Sequence, residues 1–347
     1  VDWIRPIVVT MLGAPMSGKT TFLLGMYATM SLGERAYALL EKDQDKDFEL
    51  GRAWDRLCAE GVLPPPTPEE PFEYRFTFLH GKDPLLRLDW TDFRGGAMTT
   101  PLGEANGFIE SPDARRLVQR LAATDSVYLV LDGSRLGASP QALETRRMTA
   151  LVRSALLERE PARPALSVVV LLTKADRLLA ELPQHLTITQ RLDRALETIL
   201  GLLPVMRQPG MTAALCPVTV GGFGAPTRGR VDPATVRPFW LHKPVMFTMF
   251  HRLREERRLL DAELGSLGAR HRHLTAELDR VNGERLGRLL RRAELRGLES
   301  ERAQVEEAWW VADGRRRMTD HWGATLREEI KELPVFRDGA RVESDDL

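Results

Sequence analysis

The segment Gly13-Ala14-Pro15-Met16-Ser17-Gly18-Lys19-Thr20 combines two glycines, a lysine and a hydroxyl at a spacing suited to phosphate capture. Glycines let a loop approach phosphate oxygens closely, and a helix that starts at the end of the loop adds unpaired N–H groups and partial positive charge. In that chemistry Lys19 places its ammonium between the β- and γ-phosphates and Thr20 offers its hydroxyl to Mg²⁺, while Thr21 and the loop amides surround the remaining oxygens. Pro15 has no N–H, so the loop lacks a donor there. An incidental glycine-rich turn is the plain alternative, but the strand pattern before this loop and the helical pattern after it argue for phosphate binding.

Two further strings carry chemistry. Asp92-Phe93-Arg94-Gly95 follows a strand pattern, where Asp92 can hold Mg²⁺ through water and the Gly95 N–H can sense a γ-phosphate. A simple β-turn explains such a string equally well on its own, with Arg94 as a solvated turn residue. Thr173-Lys174-Ala175-Asp176 follows the apolar run Val168 to Leu172, at the carboxyl edge of a sheet where base-recognition loops emerge. There Asp176 can accept N1–H and the exocyclic amine of guanine, a pair adenine lacks, while the Lys174 stem covers the ring. The alternative is a surface lysine followed by an aspartate that caps the next helix.

These strings need elements to position them. Ile7 to Leu12, apolar and β-branched between Pro6 and Gly13, predicts a strand, and Gly18 to Met30 predicts a helix. Leu40 to Gly61 reads as helical throughout, and the prolines from Pro64 to Pro71 predict an extended loop. Phe72 to Leu79 and Leu85 to Trp90 predict a hairpin. Val127 to Leu131, Ser167 to Leu172 and Ala213 to Val220 predict further strands, with an amphipathic helix over Pro140 to Glu160 and another starting near Thr189. That alternation predicts an α/β fold with a doubly wound, mostly parallel sheet. From Pro244 onward Leu253, Leu260, Leu267, Leu274 and Val281 recur every seven residues, with Leu264 and Leu278 beside them. A helical hairpin reversing at Asn282-Gly283 is expected in preference to a continuous coiled coil. The resulting division is a nucleotide domain over 1–243, a helical appendage over 244–333 and a loosely held tail over 334–347.

With these residues placed, the chain resembles the TRAFAC-class P-loop GTPases, the group that includes Ras-like and translation-factor G domains, over Ile4 to Leu260. Gly13 to Thr20, Asp92 to Gly95 and Thr173 to Asp176 look like the first, third and fourth motifs of that class, in its order and spacing. The resemblance implies a Ras-like G domain, Mg²⁺ and GTP or GDP as cofactors, and hydrolysis of GTP to GDP and phosphate. It also implies a switch threonine that closes over Mg²⁺, for which Thr67 is the best match, and a fifth motif at Pro217-Val218-Thr219 whose backbone meets the guanine oxygen, although the usual Ser-Ala pair is absent. Where many members follow the third motif with a water-orienting glutamine, this chain has Gly96, which implies slow hydrolysis or help from another group. Thr173 stands where the class usually has Asn. The proline-rich loop, Trp90 beside the third motif and Pro238-Phe239-Trp240 look similar to bacterial double-GTPase-type families of conflict or defence systems, which implies a switch that reports to other proteins.

Composition bounds the rest. With 43% apolar and 28% charged residues and no run of about 18 apolar residues, a soluble protein is expected. Val1 to Thr10 lacks the pattern of a secretory signal, and Cys58 and Cys216, each among apolar neighbours, read as buried in a reducing compartment, so a cytoplasmic location is expected. Lys plus Arg equals Asp plus Glu at 49 each, which gives no bulk reason for a nucleic-acid partner. The arginines from Arg285 to Arg296 are diluted by glutamates and read as a solvated helix face, as does Arg315-Arg316-Arg317; Trp309-Trp310 is a candidate partner anchor. The partners expected are proteins, bound through the C-terminal helices and switch loops, in homo- or hetero-oligomers. Two other functions stay open: a P-loop ATPase or kinase with Asp132 on Mg²⁺, and a scaffold whose nucleotide is structural.

Overall fold

A computed structural model describes residues 3–65, 72–93, 112–136, 139–160, 163–181, 185–223, 229–283, 292–343 and 346. They fall into two units, Val1–Met249 with Glu329–Leu347, and Phe250–Glu328.

The first unit opens with strand β1 (Ile7–Gly13), helix α1 (Lys19–Ser31), strand β2 (Tyr37–Glu41) and helix α2 (Gln44–Glu60). The Leu40 to Gly61 segment is therefore not helical throughout. Its first residues form β2, because Tyr37 and Leu39 can bury against the neighbouring hairpin, and α2 starts only where the Asp43 carboxylate accepts from the amides of Asp45 and Lys46. That hairpin is β3 (Phe72–His80) and β4 (Asp83–Asp92), paired antiparallel. Helix α3 (Pro112–Ala122), β5 (Ser126–Asp132), α4 (Ser139–Glu158), β6 (Leu166–Thr173), α5 (Ala175–Glu181), α6 (Ile188–Leu202) and β7 (Met211–Pro217) follow. The strand expected over Ala213 to Val220 breaks at Pro217. Its continuation, β8 (Thr219–Gly221), leaves the main sheet to pair with β9 (Val236–Phe239).

The main sheet runs β11-β10-β7-β6-β5-β1-β4-β3-β2, with β7, β6, β5, β1 and β4 mutually parallel. This is the doubly wound, mostly parallel sheet with an antiparallel hairpin that the sequence predicts. β5 and β6 are buried along their whole length, which is why they read as continuous apolar runs. On one face of β5, Val127, Leu129 and Leu131 share a core with Leu117 and Leu121 of α3, Met148 and Val152 of α4, and Ile199 of α6. On the other face the Tyr128 ring lies 6.5 Å from Phe22 of α1, and its hydroxyl donates to the Pro244 carbonyl at the start of α7 (Lys243–Gly283). Helices thus cover both faces of the sheet.

The second unit, Phe250–Glu328, holds the greater part of α7 and of α8 (Arg292–Ile330). Arg257 pairs with Asp320 at 2.9 Å and Arg270 with Glu301, so residues advance along one helix as they recede along the other and the two helices are antiparallel. Leu253, Leu260, Leu274, Leu278 and Val281 are buried, as the heptad spacing predicts, whereas Leu264 and Leu267 are half-buried. Helix α7 ends at Gly283; Arg285 and Arg288 lie outside the described residues.

The tail departs from expectation. Val335–Arg337 forms β10, antiparallel to β7, and Ala340–Val342 forms β11 beyond it, so residues 335–342 of the expected loose tail are held in the sheet. The β7 edge offers unpaired backbone groups, the Leu215 amide donates to the Pro334 carbonyl at 3.0 Å, and Phe336 buries in the core shared by β5 and β7. Asp338-Gly339 supplies the two positive-φ residues of a tight hairpin turn. Cys58 is also corrected: it is exposed on α2, while Cys216 is buried, with burial raising its thiol pKa.

Candidate functional site

The phosphate-type loop leaves β1 at Gly13, whose register partner on β5 is Val130. A Cβ at Gly13 would lie 2.8 Å from the Val130 Cβ and 2.9 Å from the Ser17 Oγ, so only glycine lets the loop fold this tightly against β5. The chain turns through left-handed conformations at Met16 (φ 63) and Gly18 (φ 88) before α1 begins at Lys19. Pro15 and Met16 project into solvent, Met16 with 87% of its surface exposed, while Ala14 and Ser17 are buried. Thr20 and Thr21 are half-buried in the first turn of α1.

Lys19 is 5% exposed, and its Nζ donates to the carbonyls of Gly13 and Ala14, each at 2.8 Å. Burial lowers its pKa from the ordinary lysine value; the negative charges of Asp92 and Glu144 act against that shift. Asp92 ends β4 fully buried, in register with Met11 of β1. The loop therefore holds a buried cation whose field includes two carboxylates. Glu144 of α4 was not singled out from the sequence, because nothing in an amphipathic helix tells which exposed-looking glutamate turns toward the loop.

The Thr173 to Asp176 segment lies directly against this loop. The Thr173 Oγ1 is within donating distance of the Ser17 carbonyl (2.6 Å) and of the Leu131 carbonyl (3.0 Å), and the residue is buried. Lys174 adopts φ 51, and its Nζ donates to the Met16 carbonyl at 3.2 Å and to the Asp132 Oδ2 at 2.5 Å. The Asp176 Oδ1 accepts from the Thr219 hydroxyl at 2.8 Å, and that hydroxyl oxygen also accepts from the Gly221 amide at 3.1 Å. Val218 closes the arrangement: its amide donates to the Leu172 carbonyl at 2.8 Å, and its carbonyl accepts from the Ala175 amide at 3.2 Å.

The structure thus brings Gly13 to Thr21, Asp92, Thr173, Lys174, Asp176, Val218 and Thr219 to one edge of the sheet, at the carboxyl ends of β1, β4, β6 and β7. Thr67, Arg94, Gly95 and Gly96 lie outside the described residues. Thr219 enters through its side-chain hydroxyl, a contact the sequence did not signal because it pointed to the backbone of this segment. Among the described residues, no cluster of His, Cys, Asp and Glu suits a metal, and no helix is long and apolar enough to cross a membrane.

A family model described as Double-GTPase 2 matches residues 7–206, more than half of the chain. No curated protein matches it. Similar solved structures include the signal recognition particle receptor SRb-GTP/SRX complex from Chaetomium thermophilum, at 16% identity, covering 64% of this chain and 94% of that one with a TM-score of 0.34. They also include an ADP-ribosylation-factor-like GTP-binding protein, the small COPII coat GTPase SAR1 from Encephalitozoon cuniculi in complex with GDP, at 12% identity, covering 57% of this chain and 59% of that one with a TM-score of 0.26.

Proposed function

From the premise that this chain belongs to the Double-GTPase 2 family, we propose that it binds GTP and GDP with Mg²⁺ at the edge formed by β1, β4, β6 and β7, and acts as a switch on partner proteins with slow or partner-stimulated hydrolysis. The observation that carries this reading is the bond from Thr173 to the Ser17 carbonyl, which ties a phosphate-type loop to a guanine-type loop.

The residues fit the groups they would hold. Lys19 turns its ammonium onto two carbonyls of its own loop, a position from which it can swing to β- and γ-phosphate oxygens at little cost in burial. The Thr20 hydroxyl and Asp92 carboxylate are hard oxygen donors of the kind Mg²⁺ takes, with Thr67 as the switch ligand. Bound with the nucleotide, Mg²⁺ supplies charge neutralisation at the phosphate oxygens. The loop amides from Ala14, Met16, Ser17, Gly18 and Lys19, followed by Thr20 and Thr21, donate to the phosphates, and the Gly95 amide senses the γ-phosphate. Asp176 accepts from guanine N1–H and the exocyclic amine. Each carboxylate oxygen has two lone pairs, so the bond from Thr219 orients the group and leaves acceptor capacity on both oxygens. The Lys174 stem covers the base; the Val218 amide is engaged by the Leu172 carbonyl, so of the expected fifth motif the Thr219 backbone would meet the base carbonyl oxygen while Val218 braces the loop.

Hydrolysis is in-line attack of water on the γ-phosphorus, with Lys19 stabilising charge on the transferred group. Gly96 cannot orient that water, which supports a switch over a fast turnover enzyme. The ATPase or kinase reading needs the Asp132 carboxylate on Mg²⁺, but its Oδ1 accepts from the Ser134 amide and hydroxyl and its Oδ2 from Lys174. On α8, Trp310 is 57% exposed, with Val311 and Met318 exposed nearby, which suits partner contact through the helices.

Nucleotide extracted from the purified chain tests the reading, together with titration of a labelled GTP analogue against GTP and ATP. GTP or GDP is expected in the extract, GTP but not ATP should compete, and Lys19→Ala and Asp176→Asn should each weaken guanine nucleotide binding by at least about 100-fold. If both variants bind as wild type does, the assignment is wrong. Single-turnover hydrolysis separates the switch from a scaffold with a structural nucleotide.

A further inference from the structure

We propose that Asp132 is a positioning residue for nucleotide recognition: its carboxylate holds the Lys174 ammonium at the Met16 carbonyl and so fixes the phosphate loop relative to the base-reading loop. The inference rests on the guanine nucleotide function proposed above, in which Lys174 covers the base.

Asp132 is the last residue of β5 and stands in register with Thr173, the last residue of β6. The turn that follows it, Gly133–Arg135, is pressed against the base-reading loop: a Cβ at Gly133 would lie 2.8 Å from the Thr173 carbonyl oxygen and 3.2 Å from that of Lys174. Only glycine permits this approach. The two oxygens of Asp132 divide their work. Oδ1 accepts from the Ser134 amide at 3.0 Å and the Ser134 hydroxyl at 2.6 Å, which shapes the turn. Oδ2 accepts from Lys174 at 2.5 Å. The Asp132 main chain is held as well, since Gln141 of α4 donates to its carbonyl at 3.2 Å.

Lys174 needs such a partner for two reasons. Its φ of 51 is a left-handed conformation that a residue with a side chain does not favour by itself. Its side chain is a flexible four-carbon stem, 36% exposed, and the ammonium has no reason to stay at the Met16 carbonyl without an anion beside it. Asp132, with a side chain only 7% exposed, is that anion. Fixing the stem in place before nucleotide arrives removes an ordering cost from binding, and the benefit should apply to GTP and GDP alike because the side chain that is fixed is the one assigned to the base they share.

The geometry separates this role from the structural one. Asp132→Asn keeps an oxygen to cap the turn at Ser134 but removes the charge that holds Lys174. Lys174→Met removes the charge from the other side and keeps an apolar stem. Release of a fluorescent GDP and a fluorescent GTP analogue from the full chain is to be measured for wild type, Asp132→Asn, Lys174→Met and the double variant, with the melting temperature of each nucleotide-free protein. Each single variant is expected to release both nucleotides about tenfold faster, the size of a partly screened ion pair. The double variant should release them no faster than either single one, because both remove the same contact. Melting of the nucleotide-free Asp132→Asn protein should stay close to wild type.

Additive effects in the double variant, or wild-type release from Asp132→Asn, overturn the inference. So does an Asp132→Asn protein whose only change is a lost response to Mg²⁺, since that would make Asp132 a metal ligand. A wild-type chain that retains no guanine nucleotide overturns the proposed function and this inference with it. A wild-type chain that retains nucleotide while the four-protein comparison is additive overturns this inference alone.

Discussion

Replacing Thr173 with valine tests the link between the two loops with little change of shape. The Thr173 hydroxyl has one proton and two carbonyls within reach, Ser17 at 2.6 Å and Leu131 at 3.0 Å, so the substitution removes one hydrogen bond at a time, not two. A buried neutral hydrogen bond contributes about 1 kcal/mol, and a carbonyl left without its donor adds desolvation, for a total loss of about 1–3 kcal/mol. For a domain of about 250 residues that corresponds to a fall in Tm of about 2–12 °C for the nucleotide-free protein. Nucleotide release should accelerate as well, because the Ser17 carbonyl no longer anchors the loop to β6. Thr173→Ser is the control. It keeps the hydroxyl and loses one buried methyl, about 1 kcal/mol, so it should melt slightly early yet release nucleotide close to the wild-type rate. Thermal melting and stopped-flow release of a fluorescent guanine nucleotide read both quantities. The reasoning fails if Thr173→Val matches wild type in both measurements, or if Thr173→Ser releases nucleotide as fast as Thr173→Val.

Phe336→Ala should destabilise the first unit by about 3–5 kcal/mol, visible as a lower urea midpoint, because the ring is buried in the core beside β7; an unchanged midpoint would mean that the tail is not held there. His242 should make stability fall on the acid side. Burial, with the nearby positive charges of Lys243 and Arg35, lowers its pKa from 6.5 to about 4 against the opposing effect of Glu332. The unfolded chain therefore binds more protons than the folded one between those values, and stability rises with pH across that window and is lost as pH falls through it. The contribution is at most ~3 kcal/mol, and denaturant titrations from pH 4 to 7 should show that His242→Gln flattens this part of the profile.

How far the sequence reaches depends on how local each signal is. The Gly13 to Thr20 loop, the β3–β4 hairpin and the Leu253 to Val281 seam are written in contiguous residues whose spacing dictates backbone shape, so they can be read directly. β2 cannot, since Tyr37 to Glu41 is only a strand because β3 lies beside it. β10 and β11 depend in the same way on the free edge of β7. Their turn residues, Asp338-Gly339, did carry a hairpin signal, but three-residue strands give too short an alternation to recognise. Pro217 was visible as a residue that interrupts a ladder, yet the exit of β8 to a second sheet depends on β9, well downstream.

The site divides along the same line. The residues proposed to face a ligand could be named from the sequence because ligand chemistry restricts type and spacing. The contacts that hold them in place could not be read, because Thr173, Asp132 and Thr219 act on partners 42 to 156 positions away. The departures from the usual motifs then acquire a physical sense. A threonine in place of Asn at position 173 keeps one donor to the phosphate loop, and the hydroxyl of Thr219 supplies the contact to Asp176 in a segment without the Ser-Ala pair. Each of these two threonines makes a bond between loops through its hydroxyl. On the proposed function, the linkage among the loops, more than the identity of any one motif residue, is what would let a phosphate cradle and a base pocket act on the same nucleotide.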